Sequence, residues 1–319
     1  MYLSEHMHEA PVLLLACVVK EYPAWKDHPR GSMATVHGSI YPAVQNMLLA
    51  CRAYGIGATL TTTHCFFGEE LKQKVRVPEN MEISALLPLG FPKEATVVIL
   101  GGSSGIGLAT AQGAQAQGAR VIITGRSAEK LRAAQAVLGN SARTVVLDVA
   151  DETGTRSLFQ ELDHLDHVFM TAGTLVRDTH LAPESAALRP AMDTRFLGAL
   201  YAAKYGAPKI RSGGSITFMS GTAARRPLSG AAVASASCGA VESFARALAI
   251  DLAPIRVNII QPGFVDTPLL DSLLGSQRNE ILAAAAARLP VKRIGTADEV
   301  ADAVLFLMRN GYVTGITLT

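Results

Sequence analysis

A short β-branched run, Thr96–Leu100 (TVVIL), passes without interruption into Gly101-Gly102-Ser103-Ser104-Gly105-Ile106-Gly107 and then into a stretch of helical length, Leu108–Gln117. No other segment of the chain restricts the fold as strongly. Glycines crowded between a strand and a helix let the backbone turn sharply, and they leave the positive end of the helix and its free N–H groups open to an anion. The same rhythm continues downstream. Arg120–Thr124, Arg143–Leu147, His167–Met170, Ser215–Met219 and Val257–Ile260 are further short apolar runs, separated by Ala-rich stretches such as Ser127–Leu138 and Ala231–Leu252. Strands without polar alternation are buried on both faces, and alternating them with helices requires a parallel, doubly wound sheet of the α/β class.

The chain has 319 residues, 49% hydrophobic and 18% charged, with a mean hydropathy of +0.25, which is enough to bury a core and excludes a disordered or fibrous protein. A net charge of +2 gives no basic footprint, so no nucleic-acid partner is expected. Val12–Val19, the longest apolar run near the N-terminus, is far shorter than the ~20 residues of a membrane span. It reads as a buried strand, and no membrane partner is expected. Leu14-Leu15-Ala16-Cys17 faintly resembles a lipoprotein cleavage box, but no Lys or Arg precedes Lys20. Cys17, Cys51, Cys65 and Cys238 have no paired spacing for zinc or a disulfide framework, so a reducing cytoplasmic location is the default expectation.

Eight of the eighteen Phe, Trp and Tyr residues and five of the eight His precede Lys93. The composition changes at Pro88-Leu89-Gly90-Phe91-Pro92-Lys93-Glu94, where two prolines and a glycine interrupt regular structure. The expected domains are therefore residues 1–93 and 94–319.

Between a strand and a helix, Gly101, Ser103, Ser104, Gly105, Ile106 and Gly107 read as a cradle for a dinucleotide pyrophosphate. A glycine turn that only packs helix on strand is the plainer alternative. The second strand ends in Thr124-Gly125-Arg126-Ser127, with no carboxylate for the ribose 2′-hydroxyl of NAD. Arg126 can instead pair with a 2′-phosphate, so NADP(H) is preferred over NAD(H), unless Arg126 is simply a solvated charge at a helix start.

Taken in order, these motifs resemble the short-chain dehydrogenase/reductase family over residues 95–319. The glycine loop fits the family's first motif, with Leu100 where a Thr is usual. Asp148-Val149 matches the pair that contacts adenine, and Ala172-Gly173 the end of an Asn-Asn-Ala-Gly turn in which Met170 and Thr171 replace both asparagines. Pro262-Gly263, followed by Val265 and Thr267, resembles the loop that holds the nicotinamide carboxamide. The resemblance implies a Rossmann fold, oxidoreductase activity and cofactor contacts at these positions. It also implies a subunit-packing Val-Asp-Gly-Gly tail beyond the last strand. The sequence ends at Gly315-Ile-Thr-Leu-Thr319, which puts the usual tetramer in doubt and leaves a homo-oligomer open.

The family's chemistry uses a Tyr, a Lys four residues later and a Ser thirteen before the Tyr. A phenol with a reference pKa of about 10 works near neutrality only beside an ammonium group. Ser220 stands at the end of its strand as the resemblance implies, but counting forward reaches Val233 and Ser237, and the family's upstream Asn is Arg195. The expectation is an atypical site at Ser220 and Arg195 that acts on a small carbonyl or alcohol substrate, with the guanidinium stabilising an oxyanion. For Arg195 the alternative is a structural arginine bonding strand-end carbonyls. For the whole protein it is a catalytically silent nucleotide-binding sensor or interaction protein. Gly263–Pro290 is expected to cover the substrate. Its Leu and Ala content suits an apolar ligand and an amphipathic core helix equally.

Residues 1–93 resemble the C-terminal half of a flavin-dependent nitroreductase. The likeness is carried by Glu9-Ala-Pro-Val-Leu-Leu-Leu, Tyr41-Pro-Ala-Val-Gln-Asn-Met-Leu-Leu-Ala, Gly55-Ile-Gly57-Ala-Thr-Leu-Thr-Thr and Leu86-Leu-Pro-Leu-Gly-Phe-Pro92. These phrases read as strand, helix, strand, helix and strand, with Gly55 ending the long helix. The expected fold class is thus an α/β protein, with a doubly wound parallel-sheet Rossmann domain preceded by a partial α+β nitroreductase-like segment. The basic cluster that anchors the FMN phosphate in that family is missing, so FMN is not expected, although backbone at Leu60–Thr62 could touch a flavin. A flavin site completed by dimerisation is the third reading. His6, His8 and His64 lack spaced partners, so no metal is expected.

Overall fold

The computed structural model describes residues 10–19, 33–54, 56–61, 65, 67–90, 94–174, 184–227 and 229–319. Contacts divide the chain into two units, Met1–Lys93 and Glu94–Thr319. In the first, strands β1 (Val12–Val19), β2 (Gly57–Ala58) and β3 (Met81–Gly90) form an antiparallel sheet in the order β1-β3-β2. Helices Met33–Ala53 and Gly68–Val75 complete the unit, and its small core is built on Ala16, Val44, Ala85 and Leu87. The expected buried strand at Val12–Val19 is corrected to an edge strand. Among the described residues it pairs with β3 alone, and Val12 and Leu13 at its outer end are exposed. Gly55, Thr62, Phe91, Pro92 and the histidines His6, His8 and His64 lie outside the described residues.

The second unit is built on seven parallel strands: β4 (Thr96–Leu100), β5 (Arg120–Gly125), β6 (Arg143–Val146), β7 (Leu165–Met170), β8 (Ile210–Met219), β9 (Arg256–Ile260) and β12 (Thr317–Leu318). Their order is β12-β9-β8-β7-β4-β5-β6. A separate two-residue parallel pairing joins β10 (Val265–Asp266) to β11 (Gly295–Thr296). Side chains alternate across the sheet, as the pleat requires. Val98 and Leu100 enter a core on one face with Phe159, Val241 and Val257, while Val97 and Ile99 enter the other with Ala111, Leu131 and Leu305. Helices Glu152–Gln160, Gly198–Gly206 and Ala232–Asp251 contribute to the first core, and Gly105–Ala116, Ala128–Leu138 and Ala297–Arg309 to the second. Ala232–Asp251 is long and apolar enough to cross a membrane by length and composition alone, yet Val241 and Ala245 on it belong to the first core.

At the N-terminal end of the sheet one carboxylate ties three strands together. Asp166 on β7 accepts the Thr96 N–H of β4 at 2.7 Å and pairs with the Arg211 guanidinium of β8. Burial opposes its ionisation, but Arg211 and the Thr96 N–H outweigh burial and hold the carboxyl below its ordinary range. Its neighbour His167 lies 2.9 Å from the Ser215 hydroxyl through Nδ1. Burial pushes this imidazole down from 6.5 to about 4, against the pull of Asp166 and with the help of Arg256 and Arg211.

The native state therefore keeps His167 neutral where the unfolded chain takes up a proton. This contribution to stability is complete above pH 6.5 and is lost as pH falls through about 4. We expect chemical denaturation between pH 7 and 4 to show a loss of up to about 3 kcal/mol from this group. A His167→Gln variant, which keeps a polar partner for Ser215, should have the shallower pH dependence of the two. Equal slopes would mean that His167 does not titrate as its burial requires.

Candidate functional site

The strand order reverses between β4 and β7, so the loops leaving these two strands diverge and open a crevice at their C-terminal ends. Both loops are clipped to the sheet. Gly101 and Gly102 donate to the Thr124 carbonyl at 3.1 and 2.9 Å, and Thr171 and Ala172 both donate to the Leu100 carbonyl at 2.9 Å. Two glycines make this approach feasible. Gly101 has φ +99°, and a Cβ there would lie 2.7 Å from the Ala172 nitrogen. A Cβ at Gly107 would lie 2.2 Å from the Gly101 carbonyl oxygen.

The helix after the loop begins at Gly105, three residues before the expected Leu108. Ser104 is extended at the N-cap, and its side chain makes no capping bond. Gly105, Ile106 and Gly107 thus form the first turn, whose N–H groups have no partner within the helix. The loop presents a longer anion cradle than the glycine pattern alone suggests.

The crevice has a volume of about 500 Å³, within the range of small-molecule sites. Of the residues singled out in the sequence, Gly101, Ser103, Ser104, Gly105, Ile106, Arg126, Asp148, Val149, Ala172, Gly173 and Thr267 line it. Gly107 lies beneath, buried against the loop. Pro262, Gly263 and Val265 are not on the wall. The Pro262 carbonyl accepts the Thr222 N–H at 3.1 Å, and Val265 is buried in its pairing with Gly295. From the segment expected to cover the site, Thr267, Pro268 and Leu269 reach the crevice.

Lys130 also lines the crevice and was not anticipated. It follows Arg126 by four residues, and Ser127 caps the intervening helix start by accepting the Lys130 N–H at 3.2 Å. Arg126 lies just before the N-cap Ser127 and Lys130 in the first turn of helix Ala128–Leu138, so the signal available was a second cation close to the end of β5. The bare cradle, the crevice size and this cationic end fit a dinucleotide carrying an additional phosphate.

Ser220 directly follows β8, is 3% exposed and does not line the crevice. Its hydroxyl donates to Glu242 Oε1 at 2.7 Å. Gln261 donates to the same oxygen, while Arg225 and Arg246 stand 3.9 and 3.8 Å from Oε2. Thr319 donates to the Gln261 side-chain amide oxygen at 3.0 Å, which extends this polar chain toward the surface. Glu242 was not anticipated either. Its signal is a carboxylate within the apolar stripe Ala234, Cys238, Val241 and Ala245.

Helix Ala232–Asp251 contains neither Tyr nor Lys. Val233 lies in its first turn, and Ser237 is fully buried with its hydroxyl donating to the Ala234 carbonyl at 2.8 Å. Shifting the count by one residue gives Ala234 and Cys238, so the phenol and ammonium are missing in either register.

Arg195 occupies a π-turn, Asp193–Leu197, next to the crevice residue Thr194. It is 6% exposed and also stands off the crevice wall. Its Nη1 donates to the Met219 carbonyl at 3.3 Å, the strand-end bond that the structural alternative foresaw. A Cβ at Gly173 would lie 2.8 Å from Nη2, so the guanidinium takes the place a side chain there would need.

In the first unit, Leu60 is exposed and Thr61 buried. Among the described residues no cluster of His, Cys, Asp and Glu could hold a metal ion.

Comparison with known proteins separates the two parts of the chain. The family described as Enoyl-(Acyl carrier protein) reductase matches residues 101–319, and the Nitroreductase family matches residues 1–91. The short-chain dehydrogenase/reductase malC of Malbranchea aurantiaca is 33% identical over 241 residues, 70% of this chain and 91% of that protein. The 3-oxoacyl-[acyl-carrier-protein] reductase of Homo sapiens is 34% identical over 228 residues, 69% of this chain and 93% of that protein. Among solved structures, a small-chain dehydrogenase in complex with NADPH superposes with a TM-score of 0.63 at 32% identity, covering 71% of this chain and 96% of that one.

The glycine contacts yield a stability contrast. Gly107→Ala drives a methyl group into the Gly101 carbonyl and should destabilise the protein by about 1–3 kcal/mol. Gly239→Ala, on helix Ala232–Asp251 with nothing within 4 Å of the new Cβ, should stabilise it by about 0.5–1 kcal/mol. Urea denaturation of both variants reads the difference. A neutral Gly107→Ala would remove the argument for the close approach of the loop.

Proposed function

The chain belongs to the short-chain dehydrogenase/reductase family through residues 101–319, and on that premise we propose an NADP(H)-dependent oxidoreductase acting on a small carbonyl or alcohol substrate without the family's usual proton relay. The observation that carries the cofactor assignment is the cationic end of the crevice. Arg126 and Lys130 line it beyond β5, where an NAD site would place a carboxylate. The relative solved with NADPH supports the same reading.

NADP(H), when bound, supplies or takes up the hydride. Gly101, Ser103, Ser104, Gly105 and Ile106 would hold its pyrophosphate, Asp148 and Val149 its adenine, and Arg126 with Lys130 its 2′-phosphate. We assign Ser220 to the reacting oxygen and Arg195 to an oxygen of the substrate. The Ser220 proton is already donated to Glu242, so its oxygen offers lone pairs that suit the proton of an alcohol. Glu242 stands next in line for that proton, with Arg225 and Arg246 3.9 and 3.8 Å from its Oε2. Arg195 provides a fixed positive charge but no proton of usable pKa. Without the phenol–ammonium pair the rate should be about 10²–10⁴ below that of a fully equipped site.

A second reading, nucleotide binding without catalysis, is favoured by one observation: neither Ser220 nor Arg195 lines the crevice. Calorimetric titration of the full chain with NADPH, NADH and FMN addresses the cofactor, and NADPH consumption with a panel of carbonyl compounds addresses catalysis. NADPH should bind at least about tenfold more tightly than NADH, and Arg126→Ala together with Lys130→Ala should remove most of that preference while leaving NADH binding unchanged. Equal affinities for the two nucleotides would overturn the NADP(H) assignment. Binding without turnover across the panel would favour the second reading.

A further inference from the structure

Arg195 and Arg256 are the two buried arginines among the described residues, and they are held very differently. Arg256, 5% exposed on β9, has a buried Nε without a partner, as Arg195 does, but donates from both Nη1 and Nη2 to the carbonyls of Leu307, Met308 and Gly213. Two of these acceptors lie in the last turn of helix Ala297–Arg309, where carbonyls lack intrahelical partners. Such an arginine is part of the fold. Arg195 has a single acceptor, the Met219 carbonyl at 3.3 Å. Its Nε is buried with no partner, its Nη2 makes no hydrogen bond, and no carboxylate of the described residues lies within 4 Å of it.

A buried guanidinium with one long hydrogen bond is a poor structural element, because desolvation of the charge is not compensated. The orphaned Nε–Nη2 edge is the fork that receives a carboxylate through two parallel bonds. Its location agrees. Arg195 sits in a π-turn, a distortion common at functional sites, with its guanidinium directly behind Gly173 on the crevice wall. The cofactor's phosphates have their own donors on the β4–β5 side, at the glycine loop, Arg126 and Lys130. Arg195 stands on the β7–β8 side. The geometry points to Arg195 as the receptor for a carboxylate of the substrate, which makes the substrate an oxo acid or the corresponding hydroxy acid. This inference rests on the oxidoreductase reading for the identity of the second ligand in the crevice.

The test uses an unreactive oxo-acid mimic, oxamate, and its uncharged counterpart, ethyl oxamate. Each is titrated calorimetrically into the NADPH-loaded full chain at constant ionic strength. Oxamate should bind at least about tenfold more tightly than the ester, and Arg195→Met should abolish the preference. Because the charge is uncompensated without an anion, Arg195→Met should also melt no lower than the parent protein, whereas Arg256→Met should melt lower. Equal affinity for the two probes, no binding of oxamate, or a preference that survives Arg195→Met overturns the proposal. So does a lower melting temperature of Arg195→Met with oxamate affinity unchanged. If Arg195→Met does not fold, Arg195→Lys decides: loss of most of the preference in a natively melting variant supports the carboxylate site, and an unchanged preference overturns it. The titrations are repeated without NADPH. Failure of nucleotide binding then counts against the oxidoreductase reading alone, while the oxamate preference still reports on Arg195.

Discussion

The backbone approach between the loop after β4 and the turn after β7 is the contact on which the second unit's architecture depends. Both chains leave the sheet at the point where strand order reverses, and the Leu100 carbonyl accepts two N–H groups from the opposite turn. Side chains at Gly101 or Gly107 would occupy the space of backbone atoms. Removing them allows the helix to start at Gly105 and to direct its unpaired N–H groups at the crevice. Fold and site are therefore consequences of the same few missing Cβ atoms. Strand packing on either face of the sheet could tolerate many apolar exchanges, but this junction could not.

Charge is distributed along the crevice rather than concentrated in one place. Arg126 and Lys130 mark one end, the dipole of helix Gly105–Ala116 the middle, and Arg195 the far side beneath Gly173. Near-neutral net charge conceals this arrangement, since acidic residues elsewhere balance it. On the proposed reading, such a crevice would order an elongated anionic ligand along its length, with each negative group matched to a separate donor set. The match depends on position, which whole-chain composition does not report.

Much of the fold was legible because it follows from local pattern. Continuous apolar runs identified the parallel strands, and the glycine spacing identified the loop between β4 and its helix. The errors arose where tertiary context decides. Val12–Val19 looks like a two-sided buried strand by composition, but it lies at a sheet edge with one neighbour. Lys130 and Glu242 were missed for a common reason. Each has its place only through a partner outside its own helix, Arg126 before the N-cap or Ser220 after β8, and such pairs emerge only once the fold brings helix and strand end together.

The residues around Ser220 form a buried polar network although helix Ala232–Asp251 carries neither Tyr nor Lys. Had Val233 and Ser237 been part of a general conversion to apolar packing, the neighbouring positions would be expected to follow. They have not. Ser220, Glu242 and Gln261 remain buried and mutually hydrogen-bonded, with Arg225 and Arg246 facing the carboxylate. Apolar residues of similar volume would serve stability at least as well, because a buried charged network gains little over a well-packed hydrophobic one. The network and the poorly bonded Arg195 point the same way. Both cost stability beside the crevice, and on the oxidoreductase reading proposed above a bound ligand would offset that cost.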